Sequence, residues 1–223
     1  MNSDERKLPA ESPTPSRVGR PRRLSTDEIV TTAIALADEK GLDGLSMPKL
    51  AKRLSVGTMT LYGYVESKDD LLDKIAERIF QGLRLPSQDD WRKSLLGFFS
   101  DFRDAALTHP TLAKLLSTGR ITIPAVFDIL ETSFQQMIED GLPAEEAVRT
   151  FYAGLTYTIG FVLWEIPRAH NQPEADYEDQ WIGLISQLDP GKFPVLTGGA
   201  AAAAPTVASS RQFDWGLRRI LAA

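Results

Sequence analysis

The sequence predicts an all-α protein in two parts, an N-terminal helix-turn-helix unit and a larger C-terminal helical domain. Three observations predict it. Apolar residues recur at three- and four-residue spacing from Ile29 onward. Helix start and stop residues punctuate the chain at regular intervals. Strand-like alternation and internal repeats are missing.

Residues 1–16 are polar, carry three prolines and cannot bury enough surface to offset chain entropy, so they read as disordered. Arg17 to Arg23 continue as a basic arm. Ser25 with Glu28 forms a capping box, and Ile29, Ala33, Ile34 and Ala37 follow at helical spacing until Gly41. Ser46 caps a short second helix, with Pro48 in its first turn and Leu50, Ala51 and Leu54 inward. Ser55-Val56-Gly57 makes a tight turn, and a third helix runs from about Thr58 to Val65, with Met59 and Leu61 as its apolar residues. Ser67 with Asp70 opens a long fourth helix carrying Leu71, Leu72, Ile75, Ile79 and Leu83. Beyond Pro86, helices are expected at about 89–108, 111–117, 122–140, 143–167, 175–187 and 209–222. His109-Pro110 and Gly141-Leu142-Pro143 supply the breaks. The proline- and glycine-bearing stretch 189–209 reads as a flexible loop. The expected parts are therefore residues 1–23, a disordered tail and basic arm; 24–84, a helix-turn-helix unit with a connecting helix; and 85–223, a helical domain.

Composition narrows the chemistry. The 223 residues carry a net charge of −5, but the charge is uneven. Residues 1–23 hold six basic side chains against three acidic, while residues 85–223 hold eleven against seventeen. A basic front end fits a chain that meets phosphate there. The chain has no cysteine, which excludes disulfides and thiolate sites, and only two histidines, so no metal site is expected. The uncharged run between Arg149 and Glu165 contains Gly154, Thr156, Thr158 and Gly160 and is too short and polar to span a bilayer. The N-terminus has no apolar leader, so a cytoplasmic protein is expected. An enzyme finds little support: no Ser-His-acid set, phosphate loop or cofactor motif is visible, and no catalytic residue or cofactor is expected.

Two short helices around a three-residue turn with a glycine are a helix-turn-helix signature. The second helix must present polar or small groups to a groove that admits one helix. Here it offers Thr58, Thr60, Tyr62 and Tyr64, with Lys68 following. The stretch from Leu45 to Leu72, above all Thr60-Leu61-Tyr62, Tyr64 and Ser67-Lys68-Asp69-Asp70-Leu71-Leu72, resembles the DNA-binding domain of the tetracycline-repressor (TetR) family. The resemblance is strong over 20–84 and extends more weakly through 91–168 to Phe213-Asp214-Trp215-Gly216-Leu217, a pattern similar to the tetracycline-repressor type of C-terminal domain.

The resemblance implies a homodimeric repressor on a double-stranded DNA operator. Carried over by residue, Thr58, Thr60 and Tyr62 face bases or nearby phosphates, Tyr64 and Lys68 clamp the backbone, and Ser46 caps its helix and meets phosphate with Lys49. Pro48 and Gly63 depart from the family pattern and remove two contacts that relatives often make. In the arm, Gly19-Arg20-Pro21 resembles an AT-hook, which places Arg20, Arg22 and Arg23 in the adjacent minor groove.

The C-terminal domain is acidic and aromatic. Its aromatics read first as helical core, and the resemblance implies a cavity among them for a small-molecule effector. Phe98, Phe102, Phe127, Phe134, Tyr157, Phe161 and Trp164 are the candidates. Trp164 stands where tetracycline sensors carry an acid, and His109 and His170 lie at a helix end and in a loop. A mostly apolar ligand is therefore expected, without a metal chelate. Glu165 and Arg168 read as a solvated pair. Dimer contacts are expected from the helices at 143–167 and 209–222, through Gly154, Phe161, Phe213, Trp215, Leu217 and Ile220. A constitutive DNA-binding dimer whose C-terminal domain only pairs subunits stays open beside the ligand-released repressor.

Overall fold

The computed structural model describes residues 24–84, 90–117, 124–171, 174–199 and 209–222, and these contain helices and no strand. The arm residues Arg20, Arg22 and Arg23, and the side chains of Arg168 and His170, lie outside the described residues.

The head is built on α1 (Thr26–Lys40), α2 (Met47–Leu54) and α3 (Thr58–Leu61), closed by α4 (Lys68–Gln81). The Ser25 hydroxyl accepts the Glu28 amide and the Ser67 hydroxyl accepts the Asp70 amide, satisfying orphan donors at both helix starts. Ile29, Ala33, Leu45, Leu50, Leu61, Leu71 and Ile75 are buried together, so four short elements share one core. Such a core is what lets an α3 of four residues persist, because its own helical hydrogen bonds cannot offset nucleation.

The body comprises α5 (Trp91–Thr108), α6 (Pro110–Ser117), α7 (Pro124–Glu139), α8 (Ala144–Asn171), α9 (Glu174–Ser186), α10 (Pro194–Thr197) and α11 (Ser210–Leu221). Helix α8 is the axis, packed against α5, α6, α7 and α11. It runs through Pro167, past the end that this proline predicts, and its 28 residues span about 42 Å. Within the stretch expected to be loop, Pro194 starts the single turn α10, a position where its missing N–H is harmless.

Two aromatic clusters hold the body. Phe98, Phe99 and Phe102 of α5 meet Phe151 of α8, Phe134 of α7 and Phe80 of α4, with neighbouring centroids 5.3–6.4 Å apart. On the other flank of α8, Tyr157 and Phe161 pack on Phe213 of α11 at 5.6 and 5.3 Å. Arg103 of α5 holds Glu165 of α8 through one edge of its guanidinium, Nε to Oε2 at 2.8 Å and Nη2 to Oε1. Both are buried, at 8% and 7% exposure, and the guanidinium lies over the Phe213 ring. The expected solvated pairing of Glu165 with Arg168 is thus corrected, because Glu165 lies on the face of α8 turned towards α5.

The same geometry corrects five expected dimer contacts. Phe161, Phe213 and Leu217 are buried inside the protomer, and Ile220 shares their face of α11. A Cβ at Gly154 would come within 2.6 Å of Phe99, so this glycine admits α5 rather than a partner. Gly216 serves α11 likewise, giving room to the Tyr157 hydroxyl, which donates to the carbonyls of Gln212 and Phe213 at 3.2 Å each. Among the expected interface residues Trp215 points outward, at 57% exposure. On α8 the outward stripe is Ala153, Thr156, Gly160, Leu163 and Trp164, which recur at helical spacing.

Candidate nucleic-acid interface and ligand cavity

Helix α2 ends where Ser55 takes a left-handed conformation, φ 58° and ψ 39°, and its amide closes the last turn. Gly57, the turn residue visible in the sequence, is extended at φ −74° and leads into α3. Left-handed backbone at a non-glycine residue costs about 1 kcal/mol, which the packed helix pair absorbs. Helix α3 is shorter than expected. Beyond Leu61 the amides of Gly63 and Tyr64 bond three residues back, and Gly63 favours that tighter winding.

The result is an outward edge on α3. Thr60 is exposed, Thr58 is half-buried and Tyr62 is 45% exposed. Met59, one of the two apolar residues of this helix, is 81% exposed. Met59 and Leu61 lie about 200° apart on a helix, so once Leu61 enters the core Met59 must leave it. That angular argument was available from the sequence.

Around this edge the cations divide into two groups. Arg53 and Lys40 flank Glu39, and the hydrogen bond from Arg53 chiefly holds that carboxyl below its ordinary pKa. Lys49, Lys52 and Lys68 form no ion pair among the described residues, although Lys68 lies near enough to Asp43 to help lower its carboxyl pKa. Lys49 reaches only the Gly44 carbonyl, at 3.1 Å. Ser46 holds the N-cap position of α2, yet its hydroxyl makes no cap bond. The cap expected of it is corrected: Pro48 and Met47 open the helix without it, and the hydroxyl is left for another acceptor or donor.

In the body, an apolar cavity of about 160 Å³ lies between α4, α5, α7 and α8. Phe98, Phe102 and Phe127 line it as expected, and Phe127, 60% exposed, stands at its mouth. Phe134 packs behind it on Phe151. Tyr157 and Phe161 are corrected, since they belong to the cluster with Phe213 on the opposite flank of α8. Trp164 is corrected as well, lying on the outward stripe. The sequence reading missed further lining residues, among them Phe80, Phe151, Leu116, Ile129 and Leu155. Phe80 matters most, because it stands on α4, the helix that closes the head.

Head and body also meet at polar contacts. His109 Nδ1, at the end of α5, is 2.7 Å from Asp38 Oδ2 of α1, and Lys114 Nζ of α6 is 2.9 Å from Asp43 Oδ2. Among the described residues no group of three His, Cys, Asp or Glu side chains could hold a metal ion, and no helix is long and apolar enough to cross a membrane.

Comparison with known proteins agrees with this architecture. A family model described as "Bacterial regulatory proteins, tetR family" matches residues 29–75, and one described as "Tetracyclin repressor-like, C-terminal domain" matches residues 84–223. An HTH-type transcriptional regulator of Saccharopolyspora erythraea is 34% identical over 72% of this chain and 69% of its own length. The class E tetracycline repressor protein of Escherichia coli is 32% identical over 70% of this chain and 74% of its own. The crystal structure of the Streptomyces coelicolor TetR family protein ActR in complex with actinorhodin superposes with a TM-score of 0.77 at 28% identity, over 89% of this chain and 94% of that one. With a helix-turn-helix head, an all-helical body and both family domains matched, the chain belongs to the TetR family of DNA-binding transcriptional regulators.

Proposed function

We propose that the protein is a cytoplasmic repressor that sits as a homodimer on a palindromic operator and leaves it when a small, mostly apolar ligand enters the cavity. The observation that carries this reading is Phe80. It forms one wall of the cavity, stacks on Phe102 at 5.9 Å and belongs to the helix whose other end is packed in the head. An occupant larger than the present 160 Å³ has to move that wall, since ligand sites usually offer about 300 Å³ or more. Moving it shifts α4 and with it the head, and a ligand that prefers the shifted state weakens DNA binding.

On DNA, α3 enters the major groove. Thr58, Thr60 and Tyr62 offer hydroxyls to base edges or phosphates, and Met59 offers an apolar contact for a thymine methyl. Ser46, Lys49, Lys52, Tyr64 and Lys68 meet the backbone, and Arg20, Arg22 and Arg23 extend the footprint into the minor groove. The outward stripe of α8 with Trp215 of α11 pairs the subunits, which a two-fold operator requires.

Fluorescence anisotropy with the DNA upstream of the gene tests this. Wild type binds with a steep salt dependence, and deletion of residues 1–20 lowers both affinity and slope. Phe80→Ala keeps operator affinity but no longer releases DNA with a compound that releases wild type. The small cavity favours the other reading, a constitutive DNA-binding dimer. A compound screen in which nothing raises the melting midpoint of wild type would decide for it.

A further inference from the structure

A second and larger cavity, about 550 Å³, opens between the head and the body. Its floor is apolar, formed by Ile34 of α1, Ile79 and Leu83 at the end of α4, and Ala105 of α5. Its rim is ionic. Asp101 and Asp104 stand one turn apart on α5, facing Arg84 just beyond α4.

The charges at this rim are unevenly partnered. Arg84 is committed to Asp101 through two hydrogen bonds of 2.7 Å, and Arg78 is committed to Asp27. Asp104 has only Arg103 Nη1, at 3.2 Å, and Arg103 already holds Glu165 through its other two nitrogens. His109 contacts Asp38. The lining itself carries Arg78 and Arg84 against Asp101 and Asp104; with both of these guanidinium groups committed to Asp27 and Asp101, Asp104 is left with no cation of its own. Asp104 is the exposed, least-partnered carboxylate of the rim, its side chain 71% accessible.

We infer that this cleft is a second ligand site, for a small organic monocation with an apolar body. The amine sits against Asp104 and the apolar part lies on Ile34, Ile79 and Leu83. The volume falls within the range of about 300–1,000 Å³ typical of small-molecule sites, which the cavity behind Phe80 does not reach. An occupant touches α1 and α4 on one side and α5 on the other, so its affinity depends on how the head sits on the body. The inference is independent of any ligand in the cavity behind Phe80.

Isothermal titration of the full chain with 1-naphthylmethylamine, and with the neutral 1-naphthalenemethanol, tests it. The amine binds, the alcohol binds at least tenfold more weakly, and Asp104→Asn weakens the amine about tenfold. Ala105→Trp, which fills the cleft, removes binding. Asp104 is exposed, so its variant reads out even if Ala105→Trp fails to fold. Equal binding of amine and alcohol, no binding of the amine up to millimolar concentration, or an unchanged affinity in Asp104→Asn would each overturn the assignment. So would loss of amine binding in Leu155→Trp with normal binding in Asp104→Asn, which would place the amine behind Phe80 instead.

Discussion

Replacing Glu165 by glutamine should cost the fold about 3 kcal/mol, and replacing Arg103 by methionine slightly more. Glu165 is buried and accepts from two guanidinium nitrogens. Removing one member of such a pair leaves a desolvated charge, which costs about 3–5 kcal/mol. In Glu165→Gln the cost falls at the lower end, because Asp104 still touches Arg103 and the Phe213 ring lies under the guanidinium. In Arg103→Met the stranded carboxylate has no second cation among its described contacts. The double variant Arg103→Met/Glu165→Met buries two apolar side chains of similar volume and should lie within about 1 kcal/mol of wild type. The coupling between the sites should thus be about 5 kcal/mol. Urea denaturation followed by circular dichroism measures it, at one fixed protein concentration because self-association makes stability depend on concentration. Single losses below about 1 kcal/mol that simply add in the double variant would refute the reasoning.

Gly154→Ala should destabilise by about 1–2 kcal/mol: overpacking the fixed Phe99 ring costs about 1–3 kcal/mol, offset by nearly 1 kcal/mol of helix propensity, and thermal melts will show it. Ser55→Gly should stabilise by up to about 1 kcal/mol by relieving the left-handed turn, unless operator affinity and melting point both stay unchanged, which would show no strain to relieve. Arg84 holds the Asp101 carboxyl below its ordinary pKa, so this pair contributes fully above the unfolded carboxylate pKa and loses its contribution as pH falls through the depressed folded value. Asp101→Asn should therefore flatten the acid limb of a stability-versus-pH curve, and an unchanged limb would count against the pair. Met59→Ala should leave the melting point unaltered and weaken operator binding by about 1 kcal/mol, read by anisotropy.

Local chemistry was legible in the sequence and long-range pairing was not. Ser25 and Ser67 declare their helix starts because a cap is a contact across three residues. The α2–turn–α3 order is legible for the same reason, although the turn's left-handed residue is Ser55, which the sequence did not single out. Glu165 was misread because its partner lies 62 positions away on α5, and nothing within one turn of α8 announces it. Gly154 and Phe213 suggested an interface, since small residues and aromatics serve internal and external contacts alike. Only the packing of α5 and α11 on α8 decides between them. Phe80 escaped notice because the sequence divides at Pro86, whereas the cavity draws its wall from both sides of that division.

The position of Phe80 also sets where this regulator can be cut and rejoined. The groups proposed to face DNA lie before α4 except Lys68, its first residue, and apart from Phe80 the cavity lining lies after it. Operator choice and effector choice are therefore separately exchangeable, provided that α4 travels with the body. A chimera joined ahead of Ser67 keeps Phe80 against Phe102 and should transmit its original signal to a foreign head. One joined beyond Gly82 imports a foreign residue into the cavity wall and alters the response together with the target.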